Sequence, residues 1–231
     1  MKALILTNEY PPDVYGGAGV HVEYLTRELA RLIDVDVRTF GTQDVAAEQL
    51  RVRGFSVAHD LAATPEKLRP VLAAFSRDLA FAAQPIDADV VHCHTWYTHL
   101  GGIVAKLAYG IPLVVTTHSL EPLRPWKREQ LGGGYDASLW VERTAIEMAD
   151  AVIAVSAGTR DDVLANFDVD PDRVRIIHNG IDTDEYHPDQ GADLLGRFGI
   201  DPTIPFVLFV GRITRQKGIV HLVRAIRHLD P

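Results

Sequence analysis

One cysteine, Cys93, is all the thiol that this 231-residue chain holds, and that excludes an internal disulfide. No apolar run approaches the length that spans a bilayer, and Met1-Lys2-Ala3-Leu4-Ile5-Leu6 is too short an apolar start for a secretory signal. A cytoplasmic protein away from membranes is the expectation. There is no block of Lys and Arg interleaved with aromatics, and 23 basic against 31 acidic residues leave a net charge of −8. Nucleic acid is therefore not an expected partner, and any anionic ligand must be held by local dipoles and a few selected cations. Internal repeats and low-complexity segments are missing as well. No G-x-x-x-x-G-K-[ST] stretch supports a nucleoside triphosphatase.

What is present is apolar material in short, regularly spaced runs, 47% of the chain in all. Lys2 to Thr7 reads as a buried strand. A loop with Gly16, Gly17 and Gly19 follows, and then Val22, Leu25, Leu29 and Leu32 recur at helical spacing. Three glycines in four positions allow a positive φ or a close backbone approach, which is how anion sites at helix N-termini are built; a tight turn without ligand uses the same residues. Further strands are expected at Val35 to Phe40, around Phe55 to His59, at Asp89 to Cys93, Pro112 to Thr117, Ala151 to Val155 and Val174 to Ile177. Between them, Thr64-Pro65-Glu66 reads as N-cap, N1 proline and acidic first turn of a helix with Leu68, Val71, Leu72, Phe75 and Leu79 on its apolar face. Tyr97 to Tyr109 and Ala137 to Met148 read as helices too, and Ser156 as the cap of another. Strands alternating with helices predict a doubly wound, parallel, Rossmann-like α/β sheet.

The irregular stretch Ser119 to Gly134 reads as a lid or acceptor loop. Within it Glu121 and Glu129 are not expected to form a carboxylate pair, because Pro122 and Pro125 break the helix that would align them. The Asp-, Gly- and Pro-rich stretch near 188–205 marks a domain boundary. Residues 1–188 form the first domain, 189–204 the linker, and 205–231 the opening strand and helix of a truncated second α/β domain, with Phe206 to Val210 as the strand and Ile219 to Leu229 as the helix.

Several residues are placed to do chemistry. A dinucleotide fingerprint would need a small residue where Val22 stands and an acid where the second strand ends at Thr39-Phe40, so a dehydrogenase is disfavoured. His92-Cys93-His94 offers imidazole and thiolate on alternating faces, but three adjacent residues cannot supply a closed tetrahedral set, and no metal is expected. His94, Thr95 and Trp96 follow one parallel strand and His118 another, where open α/β sheets bind ligands; each His alone reads equally well as structural. Arg212 and Lys217 flank a strand-to-helix turn and suit a phosphate, or else simply a solvated basic surface.

Taken in order, Glu9-Tyr10-Pro11-Pro12 with Gly16-Gly17-Ala18-Gly19, His92 to Trp96, Thr117-His118, Ala154-Val155-Ser156, Asn179 to Asp182 and Gly211 to Gly218 resemble the glycosyltransferases of the GT-B fold, in the large family that includes bacterial glycogen synthases. The first stretch is most similar to the actinobacterial branch that works on ADP-glucose in glycogen and maltose 1-phosphate synthesis. The resemblance implies a retaining hexosyltransferase, working without a metal or other cofactor, with a nucleotide-sugar donor and a glucan or sugar-phosphate acceptor. It further implies that Gly16, Gly17 and Gly19 approach the donor diphosphate, that Arg212 and Lys217 neutralise the departing phosphate, and that His118 sits against the transferred sugar. Glu9, His94 and Trp96 would lie on the acceptor side. Two positions depart from many glycogen synthases: Val14-Tyr15 stands where they have Lys-Thr, and Thr95 where they have Asp. The family's carboxylate-bearing donor motif lies in the second domain, so the fragment alone is expected to be inactive. A non-catalytic sugar-binding domain or a GT-B-fold epimerase would use the same residues.

Overall fold

The apolar run after Met1 becomes strand β1 (Lys2–Thr7), and all five of its residues from Ala3 onward are buried. Its side chains alternate between two cores: Leu4 and Leu6 join the larger, Ala3 and Ile5 the smaller. A strand apolar on both faces belongs in the middle of a parallel sheet. There it lies, in an eight-stranded sheet of order β3-β4-β2-β1-β5-β6-β7-β8, comprising β2 (Asp34–Phe40), β3 (Asp44–Ala46), β4 (Leu50–Phe55), β5 (Val90–His94), β6 (Leu113–Thr117), β7 (Ala151–Ala154) and β8 (Val174–Ile176). All pairs are parallel except β3 with β4. From β1 the chain runs outward to β2 in one direction and to β5 in the other. The crevice at the carboxyl ends of β1 and β5 is thus the topological switch point of the sheet, the place where such folds bind ligands.

The computed structural model describes every residue except 59, 189–192, 202, 215–216 and 229–231, and it divides into two units, Met1–Gly180 and Ile181–Pro231. The first unit carries the sheet with helices α1 (Gly17–Leu29), α2 (Arg69–Ala83), α3 (His99–Tyr109), α4 (Lys127–Leu131), α5 (Gly134–Met148) and α6 (Ala157–Asn166). Ser156 caps α6 as expected, its Oγ accepting from the Thr159 N–H at 3.0 Å.

Three expectations are corrected here. The third strand is not at Phe55 to His59, of which His59 lies outside the described residues; it is β4, part of a hairpin with β3 that buries only Val52. Thr64 caps nothing: a 3-10 turn over Glu66–Leu68 precedes α2, which has Pro70 in its first turn. The buried stripe of α2 is Val71, Ala74, Asp78, Phe81 and Ala82, while Leu72 and Leu79 are exposed. Asp78 turns inward because its carboxylate lies against the first turn of α3, where a Cβ on Gly101 would stand 3.3 Å from its Oδ1.

The second unit contains α7 (Asp193–Arg197), α8 (Ile219–Ala225) and a 3-10 turn over Ile226–His228. The helix expected from Ile219 is present, and Leu229 lies outside the described residues, as do 189–192 and 202 of the linker stretch. Residues 205–210 form no strand, and Val207, Leu208 and Val210 are open to solvent. A strand needs a neighbouring strand to satisfy its ladder, and no described residue of this unit supplies one.

Candidate active site

Four segments meet at the carboxyl ends of β1, β5 and β6. After β1, the carboxylate of Glu9 turns back under the glycine loop, and its Oε2 accepts from the backbone N–H groups of Tyr15 at 2.9 Å and Gly16 at 2.7 Å. Gly16 is the extended N-cap of α1 (φ −145, ψ 176), so the loop does not use glycine for a left-handed turn. Close approach is the reason at Gly19, where a Cβ would sit 2.8 Å from the Glu9 Cβ. At Gly17 a Cβ would meet nothing within 4 Å, which leaves the first turn of α1 uncovered on that side. No acidic side chain stands in that turn, so its N–H groups and the positive end of the helix dipole have no carboxylate of the helix's own to answer them.

After β5 the chain makes a sharp exit. Thr95 has φ 67, the one non-glycine residue with positive φ among those described, a costly conformation for a β-branched side chain. Its Oγ1 donates to Asn8 Oδ1 at 3.1 Å, and Thr98 Oγ1 reaches the carbonyls of Leu6 and His94 at 3.3 and 3.1 Å, so the ends of β1 and β5 are laced together.

Histidines fill the crevice. His94, fully buried at the end of β5, has Nδ1 3.1 Å from Nε2 of His118, which follows β6. His92, two residues back on the same face, places its Nε2 2.7 Å from Thr116 Oγ1. The fourth, His21, comes from α1 and lies with ring centroid 5.1 Å from His118 and 5.7 Å from His94. Burial pushes every one of them below the ordinary imidazole range: His118 to about 4, His92 to about 3, His94 well below, His21 downward. All four are neutral at pH 7. Sequence reading missed His21; the signal was its place four residues after Gly17, on the same face of α1 as the loop.

Beside the crevice, the segment read as a lid or acceptor loop is anchored at Glu121. Glu121, with no exposed surface, accepts from Lys127 Nζ at 2.8 Å and Arg124 at 3.3 Å, while its N–H donates to Glu142 at 2.7 Å and its carbonyl accepts from Tyr135 at 2.7 Å. Burial pushes Glu142 up to about 8. The Lys127 ammonium lies 5.9 Å from the ring of Trp96 and 5.7 Å from that of Tyr97. Pro122 and Pro125 do break the helix, as read; Glu121 is nonetheless the centre of the segment, because burial with two cations needs no helical alignment.

Of the residues singled out in the first unit, Glu9, Gly16, Gly17, Gly19, His94 and His118 surround the crevice. Trp96 stacks on Tyr97 with only 2% of its surface exposed, so its ring belongs to the packed base. Arg212 and Lys217 belong to the second unit, where both are exposed; of the motif between them, Arg215 and Gln216 lie outside the described residues.

No helix among the described residues is long and apolar enough to cross a membrane. The family model of Glycosyltransferase Family 4 matches residues 15–185. Alpha-maltose-1-phosphate synthase of Mycolicibacterium smegmatis is 52% identical over 239 residues, covering 100% of this chain and 58% of that protein. The protein of the same name from Mycobacterium tuberculosis is 49% identical, covering 97% of this chain and 57% of its own length. The chain thus spans rather more than half the length of these relatives. Among solved structures, sucrose-phosphate synthase from Thermosynechococcus elongatus superposes with a TM-score of 0.75 at 22% identity, over 99% of this chain and 60% of that one. Anabaena HepE, solved with UDP-glucose, gives 0.72 at 18%, over 100% and 58%. The sheet is that of the GT-B glycosyltransferases. With a family model over most of the first unit and relatives half identical along its length, the chain belongs to glycosyltransferase family 4.

Proposed function

We propose that this chain is part of an enzyme that transfers glucose with retention from ADP-glucose to glucose 1-phosphate, forming α-maltose 1-phosphate, or to the end of an α-1,4-glucan. The observation that carries the reading is the 52% identity, along the whole chain, to a protein named alpha-maltose-1-phosphate synthase. Loss of a nucleoside diphosphate from an anomeric carbon builds negative charge on phosphate and positive charge on the sugar. The first turn of α1, uncovered at Gly17, suits the diphosphate, with Gly16 and Gly19 completing the loop, and Arg212 and Lys217 are the cations assigned to it as it leaves. His118 is assigned to the transferred sugar. A neutral imidazole, held at a pKa of about 4, can hydrogen-bond a hydroxyl there without adding a like charge beside the oxocarbenium-like centre. Glu9, His94 and Trp96 are assigned to the acceptor side, Glu9 while also holding the glycine loop and Trp96 by supporting the turn after β5.

The full-length protein, given ADP-glucose and glucose 1-phosphate, is expected to release ADP and form a disaccharide phosphate of α configuration. Equal or faster turnover of UDP-glucose overturns the donor assignment, and donor hydrolysis or epimerisation with no acceptor used overturns the transfer. Gly17→Val should fold as the parent does, since its side chain enters open space, yet lose donor affinity; unchanged affinity would remove the glycine loop from the site. Arg212→Ala and Lys217→Ala should each raise the barrier by about 2 to 4 kcal/mol, read as kcat. Two variants with parental kcat would refute the phosphate role.

A further inference from the structure

We propose that His21, His94 and His118 form a three-imidazole site for a borderline divalent transition ion such as Zn2+. One ring nitrogen from each lies within 4.8 Å of the other two. The rings come from three different elements: α1, the end of β5, and the residue after β6. Their centroids are 5.1, 5.4 and 5.7 Å apart. Three imidazoles bound tetrahedrally at 2.0–2.1 Å place their nitrogens about 3.3 Å and their ring centres about 5 Å from one another. The pair His94 Nδ1 and His118 Nε2, at 3.1 Å, already has that spacing, and His21 completes the set with a shift of about 1.5 Å or less.

In the absence of an ion the His94 Nδ1 and His118 Nε2 share a hydrogen bond, as two ligand nitrogens at that spacing do. His94 is fully buried, and its Nε2 has no hydrogen-bond partner. His21 and His118 are only partly covered, so the site is open to solvent on one side, as a three-ligand ion with a free fourth position requires. Imidazole is a strong ligand for zinc, copper and nickel, and a weak one for magnesium and calcium, which fixes the class of ion. Among the described residues this is the group of His, Cys, Asp and Glu side chains close enough to share an ion. If His118 also contacts the sugar, as proposed above, an ion there competes with substrate; the binding itself does not depend on that reading.

Titration of the metal-free protein with Zn2+ against a chromophoric chelator is expected to show one ion per chain, and Co2+ in its place the intense visible absorption of a tetrahedral site. His21→Ala and His118→Ala should each weaken Zn2+ binding by about 100-fold. Replacing the exposed His187 and His221 by Ala should leave binding as it was. Circular dichroism of the metal-free variants checks that each is folded, and either of the first two suffices if the other is not. Absence of a bound ion, or zinc affinity that survives substitution of His21 or His118 in a folded variant, overturns the proposal.

Discussion

Acidification from pH 7 to about 4.5, in buffer containing a chelator, should remove about 2 to 3 kcal/mol of stability through His99 alone. His99 opens α3, is 2% exposed, and has no hydrogen-bond partner on either ring nitrogen; burial holds its pKa at about 3, against 6.5 in the unfolded chain. Between those two values the unfolded chain binds a proton that the folded one does not. Stability is therefore fully present above 6.5 and falls as the pH drops toward 3. His92, also pushed to about 3, acts in the same direction. Glu142, held at about 8, acts in the opposite direction over the same range, because there the folded chain keeps a proton that the unfolded one gives up, so the His99 contribution is read as the difference between the parent and a variant that lacks the imidazole. Urea titrations followed by circular dichroism at a series of pH values measure the loss. His99→Phe should flatten the profile, because an apolar ring of similar size takes up no proton. A His99→Phe profile that runs parallel to the parent's over this range would overturn the prediction, because the other titrating groups are common to both chains.

Lys127→Met should cost about 3 to 5 kcal/mol, the penalty for leaving one member of a buried ion pair without its partner. Methionine keeps the stem and removes only the charge. Glu121 would retain Arg124 at 3.3 Å, and Glu142, whose side chain accepts from the Glu121 N–H and stays protonated at pH 7 with its pKa pushed up to about 8, adds no charge, so the loss is that of the Lys127 cation. The double variant Glu121→Gln, Lys127→Met should recover much of the loss, since no buried charge is then unbalanced. The comparison is made on urea midpoints at constant m. A single variant costing less than about 1 kcal/mol would mean that water reaches Glu121 and that the segment from 119 to 134 is held by packing alone. The same substitution should disturb Trp96 and Tyr97, and in a background where the exposed Trp126 and Trp140 are replaced by Phe the fluorescence of Trp96 gives a second, local reading of it.

The sheet was legible because its central strands are short apolar runs cut off by glycine, proline and polar turns, and burial on both faces leaves no other use for such runs. The edge was not. β3 is fully exposed, and β4 alternates Val52 with Arg51 and Arg53, of which Arg53 pairs with the buried Asp36 at 2.7 Å. No hydrophobic period marks a strand whose polar residues find partners in the sheet itself. Within the crevice, the glycine loop, His94 and His118 were legible from their place after strands. Glu9 was found but its partners were not, because backbone N–H groups are invisible in a sequence. Glu121 and His21 were missed for a common reason. Each has its meaning only through residues brought close by tertiary packing, Lys127 and Glu142 in one case, two strand ends in the other.

Glu9 also bears on how a ligand would meet this loop. The carboxylate is a resident anion, and the amides of Tyr15 and Gly16 are already wrapped around it before anything else arrives. The chain is cast on its own template. The entropy lost in fixing residues 15 to 19 falls on folding and is absent from the free energy of association, so a donor phosphate bound at the first turn of α1, as proposed above, would spend none of its affinity on shaping the loop.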